Sequence, residues 1–382
     1  MNKFFTSESV LPGHPDKIAD QISDAILDEC LILNKNSRVA VETLVKNNNV
    51  VLAGEVSGVP LEQLNVDKIV KEVVSDIGYD NFNPTGFKPD NLNIIKMISN
   101  QSQQINKSVG NDEESIKAGD QGTVFGYATD ETSFFTPASH MLAKELSSKL
   151  YYLINQKETK NLMPDGKTQV TLKYDNNGNY EEVAHVSVSI WDLSQNPEKL
   201  LNFLYKKVFP HVFTGKFKLG KNTIITINPP DGIFCLGGPE ADCGLTGRKI
   251  ISDTYGGHGS HGGGAFSGKD ATKLDRTGAY AARYAAKNLV ANGLCSKALV
   301  QYSYIMGYEE PVSISVDAFG TQKNNIDLMD VIKSNFPLKP SEIIKKFDMT
   351  NPNKEWKYRT AAEFGPFVPK NFPWETVVKL KI

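Results

Sequence analysis

Three times along the 382-residue chain, apolar positions shift from a helical period to strict alternation and back to a helical period. After His14 and Pro15, residues Ile18, Ile22, Ala25, Ile26 and Cys30 fall on one face, because side chains three and four apart stack on a 3.6-residue turn. Segments 38–45 and 50–56 alternate apolar and polar residues on either side of Asn47, Asn48 and Asn49, which predicts a hairpin. A second helix carries Ile69, Val70, Val73, Val74 and Ile77 and stops at Gly78. In the middle of the chain, Pro137 opens a helix with Met141, Leu142, Leu146 and Leu150. Strands at 169–174 and 182–191 then flank Asn176, Asn177 and Gly178, and Pro197 opens a helix with Leu200, Leu201, Leu204 and Val208. The last third has an alanine-rich helix at 277–290, strands at 298–306 and 312–318, and a helix at 327–336.

Recurrence of helix–strand–strand–helix at intervals of about 120–140 residues predicts triplication of one α+β unit. Each hairpin has one apolar face, and helices are its natural cover. Segment 100–122 is rich in Gln, Asn, Ser, Gly and charge and has little to bury. Lying beside the Ala118-Gly119-Asp120-Gln121-Gly122 motif, it is expected to act as a lid.

Composition narrows the partners. Net charge is −2 and the isoelectric point about 6.3, so no basic field exists for nucleic acid or an acidic membrane. Hydrophobic residues at 40% suit a globular protein of two or three domains. No signal-like or membrane-spanning run is present, and Cys30, Cys235, Cys243 and Cys295 are too dispersed for a zinc ribbon or a disulfide framework. A cytoplasmic protein is expected.

Any polyanion site must therefore be local, and glycines mark it. Gly263, Gly268 and Lys269 have the spacing of a phosphate-binding loop, but Asp270 stands where Ser or Thr would hold magnesium. Glycines at 237–238, 244, 247, 256–257 and 262–264 lie among Arg248, Lys249, Lys269 and Lys273, more than turns require. Such a stretch predicts backbone pressed against a polyphosphate handled in a non-Walker way. The Gly13–Lys17 segment adds a histidine, a carboxylate and a lysine at a helix start, where Asp16 would either cap the helix or hold magnesium. His258 and His261 have no cysteine partner at ligand spacing and are not expected to bind metal. Glu42 and Glu55 sit on the two strands of the first hairpin, where a pair would recognise an ammonium or an alkali ion.

Together these residues resemble the S-adenosylmethionine synthetase family over nearly the whole chain. The similarity rests on residues 5–10 and 13–18, on Gly119–Gly122 with Phe125–Ala128, and on Gly237–Pro239, Asp242–Ile250 and Gly262–Asp270. The resemblance implies three similar α+β domains around a pseudo-threefold axis, at 3–101, 119–232 and 233–373, with an active-site lid at 102–118. It implies synthesis of S-adenosylmethionine from ATP and L-methionine, then hydrolysis of the bound tripolyphosphate to diphosphate and phosphate. Magnesium, two ions per site, and potassium would be required. The partners would be the two substrates and further copies of the chain, in a dimer or tetramer with active sites at the dimer interface.

By the same resemblance, His14 would contact ATP near the breaking C5′–O bond, and Asp165, Lys167, Phe234, Arg248, Lys249, Ala265 and Lys269 would bind ATP. His14, Arg248, Lys249 and Lys269 would be catalytic. Glu55, Gln101, Asp242 and Lys273 would hold methionine, Asp16 and Asp275 magnesium, and Glu42 potassium. The chain departs from the family pattern at Gln103-Gln104-Ile105, at Ser189-Ile190-Trp191-Asp192, at Ile233 and at 360–365. Two other readings compete: a Walker-type kinase or NTPase, disfavoured by Asp270, and a non-catalytic homologue, disfavoured by intact His14, Asp16, Lys269 and Asp275.

Overall fold

In a computed structural model, which describes residues 3–80, 83–100, 116–176, 178–323, 326–353, 355–368 and 371–382, each predicted hairpin forms and becomes the nucleus of its own sheet, central in two of them and at one edge in the third. The first part of the chain forms β1 (Lys3–Val10), α1 (Pro15–Leu33), β2 (Arg38–Lys46), β3 (Asn49–Ser57), α2 (Val66–Ile77) and β4 (Asn93–Asn100). The middle forms β5 (Gly122–Thr129), α3 (Ala138–Asn155), β6 (Leu162–Tyr174), β7 (Tyr180–Asp192), α4 (Pro197–Phe203) and β8 (Ile224–Ile227). The remainder forms β9 (Gly244–Leu245), α5 (Leu274–Ala291), β10 (Lys297–Tyr304), β11 (Ser313–Asp317), α6 (Leu328–Asn335), α7 (Pro340–Lys346) and α8 (Tyr358–Phe364).

Local chemistry sets the helix ends. Pro15 opens α1, where a missing N–H is harmless, and His14 caps it by accepting the Asp16 N–H. Asn65 accepts the Lys68 N–H at the start of α2, and Gly78 closes that helix at φ 110°. The helix predicted from Pro197 to Val208 is interrupted. Residues Leu204–Val208 widen into a π turn before one last turn, Phe209–Val212. Pro210 explains this, because it lacks an N–H and its ring crowds the carbonyl four residues back.

The sheets run β4-β3-β2-β9, β1-β6-β7-β8 and β11-β10-β5. In each, the first hairpin strand gains an antiparallel neighbour from a distant part of the chain: β9 on β2, β1 on β6, and β5 on β10. The second hairpin strand gains a parallel neighbour in two of them, β4 on β3 and β8 on β7. Thus β1 leaves the N-terminal segment for the middle sheet, β5 joins the last sheet, and β9 returns to the first.

One apolar core joins the first and last sheets through α1, α2 and α5, and a second lies between α3 and the β6–β7 hairpin. Strand β2 alternates as its sequence predicts. Val39, Val41 and Val45 face the core, while Arg38, Ala40, Glu42 and Leu44 face outward. On that outer face Met97 is 65% exposed and Ile95 42%.

Candidate active site

The free edge of β2 is where the glycine-rich segments attach. Strand β9 pairs with Leu44 and Val45, and the Thr246 N–H donates to the Thr43 carbonyl at 3.1 Å. Further along the same edge, the Val41 N–H donates to the Gly268 carbonyl at 3.0 Å and the Asp270 N–H to the Val39 carbonyl at 3.1 Å. Gly268 has φ +78°, and a Cβ there would lie 1.9 Å from the Val41 oxygen, so only glycine fits. This docking brings residues 244–249 against the start of α1.

Asp16, in the first turn of α1, accepts the Leu245 N–H at 3.0 Å and a very short hydrogen bond from the Lys249 ammonium. Arg248 Nη1 lies 4.0 Å from the same carboxylate and is otherwise exposed. Burial alone would raise the Asp16 carboxyl, but the Lys249 and Leu245 hydrogen bonds outweigh it and hold it below the usual range. Beside it, His14 is buried. Desolvation, reinforced by the Lys249 charge, pushes its imidazole down to about 3. Nδ1 accepts the Asp16 N–H at 3.2 Å, so in the neutral ring Nε2 carries the hydrogen. The 3.8 Å approach of Nδ1 to the Asp16 carboxylate is therefore no ion pair.

The beginning of β6 closes one side. The Gly13 N–H donates to the Pro164 carbonyl at 3.2 Å, and the Lys167 charge acts on His14. Asp165 is buried and accepts the Gly238 N–H at 2.7 Å, with burial pushing its carboxyl up to about 6. The β6 strand starts at Leu162, earlier than the predicted 169–174, so the motif containing Asp165 and Lys167 is a strand with a register shift between Leu162 and Gly166. Phe234 is half-buried, and its carbonyl accepts the Asp192 N–H at 3.0 Å. Trp191 Nε1–H donates to the Cys235 carbonyl at 3.0 Å. The departure at Ser189–Asp192 thus buttresses the backbone that carries Phe234.

A second group lies around the 262–275 segment. Lys269 pairs with Asp275, and Ala265 packs against Gly247, where an added Cβ would be 2.4 Å away. Lys269 sits across β2 from Ala40, and Ala40 lies opposite Glu55 on β3. Lys269, Glu55 and Glu42 consequently share the outer face of that sheet. Lys273 is engaged by buried Asp270, which also accepts the Val39 N–H at 2.8 Å and two hydrogen bonds from Thr272. Asp270, at the Walker Ser/Thr position, thus secures the loop from beneath. Asp242 and Asp120 are exposed, each accepting the N–H of its next residue, at 2.8 and 2.7 Å.

Gln101 lies outside the described residues, as do 102–115 of the segment expected to act as a lid. Its last residue is anchored: the Ala118 N–H donates to the Tyr308 carbonyl at 2.9 Å and Ala118 is buried. His258 accepts or donates a 2.8 Å hydrogen bond with Ser139 and stacks on Phe5, while His261 Nδ1 accepts the Gly263 N–H at 2.8 Å. Among the described residues no group of three or more His, Cys, Asp or Glu side chains is placed to hold a metal ion. No described helix is long and apolar enough to cross a membrane. Reading the residues one by one missed Asp20 and Asp24 and placed Lys17 at a helix start without its partners; in the structure Lys17 pairs with buried Asp20, and Asp24 with buried Arg276, behind the glycine loops. The available signal was an aspartate at every fourth residue from 16 to 28.

Comparison with known proteins covers the chain in three stretches. Residues 2–103, 115–234 and 236–376 match the models of the N-terminal, central and C-terminal domains of S-adenosylmethionine synthetase. The chain is 43% identical over 397 residues to the S-adenosylmethionine synthase of Clostridium tetani, covering 100% of this chain and 98% of that protein. It is 43% identical over 384 residues to that of Brachyspira hyodysenteriae (98% and 96%), and 42% over 382 residues to that of Mesoplasma florum (100% and 99%).

Proposed function

Because the chain belongs to the S-adenosylmethionine synthetase family, we propose that it makes S-adenosyl-L-methionine from ATP and L-methionine, the methionine adenosyltransferase reaction (EC 2.5.1.6). One observation carries the reading. A neutral His14 and the charges of Arg248 and Lys249 converge on the first turn of α1, on backbone shaped by glycines.

The methionine sulfur is a neutral nucleophile and needs no general base. It attacks C5′, the C–S bond forms, and the C5′–O electron pair leaves with the triphosphate. The barrier therefore lies in alignment and in charge on the leaving group. Arg248, Lys249 and Lys269 would receive that charge, and His14 Nε2–H would donate to the leaving oxygen or to the ribose oxygen. Asp165, Lys167, Phe234 and Ala265 would seat the rest of ATP. The bound tripolyphosphate would then be cut to diphosphate and phosphate before release.

Glu55 and Asp242 would hold the methionine ammonium, and Gln101 would take part in binding methionine. Lys273 would reach the methionine carboxylate only by leaving Asp270. Magnesium characteristically takes one or two protein carboxylates and completes its shell with phosphate oxygens and water. Isolated Asp16 and Asp275, each beside a lysine, fit that donor set for two ions. When bound, magnesium would neutralise phosphate charge, and Glu42 would serve potassium.

The uncovered outer face of the first sheet supports a homo-oligomer, a dimer or a tetramer, in which a second copy covers Ile95 and Met97 and completes the site around Glu42 and Glu55. The matched neighbours of the three hairpins support a pseudo-threefold arrangement of domains at 3–101, 119–232 and 233–373, with 102–118 as lid. All four cysteines are free thiols, which suits a reducing cytoplasm. Mass spectrometry of a reaction with ATP, methionine, magnesium and potassium tests the activity. The sulfonium product should appear with diphosphate and phosphate. ATP hydrolysis without a sulfonium would instead indicate an NTPase, and no turnover a non-catalytic homologue.

A further inference from the structure

Asp16, Asp20, Asp24 and Asp28 recur at every fourth residue of α1 and are all buried. Four residues turn an ideal helix by roughly 400°, so these carboxylates form one stripe about 18 Å long. Like charges at this spacing repel even in water, and a bare carboxylate in an interior is far more costly. The later chain meets the stripe with one backbone donor after another, in the same order. The Leu245 N–H reaches Asp16 at 3.0 Å, Gly247 reaches Asp20 at 2.8 Å, and Gly268 reaches Asp24 at 2.8 Å. The Tyr358 and Arg359 N–H groups reach Asp28 at 2.9 and 3.0 Å.

Two of these amides directly precede proposed phosphate-binding residues, since Gly247 is followed by Arg248 and Gly268 by Lys269. Asp24 is also gripped by both ends of the Arg276 guanidinium, at 2.8 and 2.6 Å, which gives it a separate duty in the core. Asp20 has a simpler role. It shares Lys17 with Asp253, at 3.0 and 2.7 Å, and spends its other oxygen on the Gly247 amide. Gly247 sits at φ +79° against Ala265, so displacing it disturbs both glycine loops.

We propose that Asp20 is a positioning residue for ATP: through the Gly247 amide it fixes where Arg248 and Lys249 present their charges, although it touches no substrate. The proposal rests on the reading of those two cations as triphosphate ligands. Three variants of the full-length protein test it, with magnesium-ATP and tripolyphosphate binding followed by calorimetry and both KM values measured. Asp20→Asn keeps an acceptor oxygen for Gly247 and should bind ATP within about threefold of the parent. Asp20→Glu pushes the carboxylate outward by a methylene, and Asp20→Ala removes the acceptor. Both should weaken ATP and tripolyphosphate binding by about tenfold or more while the methionine KM stays put.

If Asp20→Ala does not fold, the contrast of Glu with Asn decides. A folded Asp20→Glu protein with parental ATP affinity overturns the proposal, and so does an equal loss for ATP and methionine in the Glu and Asn variants. Failure of the synthetase reading would show differently, as absence of the sulfonium product from the parent protein itself.

Discussion

At the scale of single residues, the site depends on groups kept in one protonation state by their surroundings. His14 is neutral because it is buried beside Lys249, so its Nε2–H stays available to donate a hydrogen bond without titrating near neutrality. Replacing His14 with Ala should lower kcat by about 10²–10³-fold while circular dichroism stays unchanged. In the parent, kcat/KM should show no break at pH 6.5 that this replacement abolishes. Asp28 behaves oppositely. It receives two backbone N–H groups and, among the described residues, no ion-paired cation, and burial pushes its carboxyl up to about 7. A folded-state value above the unfolded one means the contribution to stability is complete below the ordinary carboxylate range and fades as pH climbs through 7. The Tm difference, Asp28→Asn minus parent, should therefore increase between pH 5 and pH 8. A flat difference would mean that Asp28 is ionised throughout. The residues proposed to meet substrate stand out in the sequence, because glycine runs with interspersed cations are uncommon and family-specific. Asp20, Asp24 and Asp28 do not, because in a linear reading an aspartate on an amphipathic helix looks solvated.

At the scale of elements, strands with one buried face were readable and the others were not. Strand β2 shows clean alternation in both sequence and burial. Strand β4 is exposed over most of its length, β8 has four residues and β9 two, so no period could emerge. Strand β1, Lys-Phe-Phe-Thr-Ser-Glu-Ser-Val, reads as polar because its partner β6 and the small side chains of α3 cover it through Ser–Ser contacts, such as Ser9 to Ser147 at 2.9 Å. The bridge between 268–270 and β2 is equally silent in sequence, yet it is the joint on which Lys269 turns. Gly268→Ala would put a methyl 1.9 Å from a carbonyl at positive φ. We expect a loss of about 2–4 kcal/mol in urea unfolding together with weakened tripolyphosphate binding. Parental values for both would show that the loop is not held there.

At the scale of the whole molecule, the helix–hairpin–helix repeat was evident from periodicity, whereas the exchange of strands between sheets was not. Nothing in a local pattern says that β1 belongs with residues 162–174 or β9 with residues 44–45. Deleting residues 1–10 should leave the β6 edge unpaired along eight residues, from Lys167 to Tyr174. The truncated protein is expected to aggregate or to unfold at a Tm lower by several degrees, seen by light scattering and calorimetry. An unchanged, monodisperse product would mean that β1 adds little.

The same interlacing has a consequence for how the chain is born. A ribosome delivers roughly 5–20 residues per second, and the first sheet cannot recruit its last strand until residue 245 has emerged. Early segments must wait with open edges, because each sheet draws one strand from another part of the polypeptide.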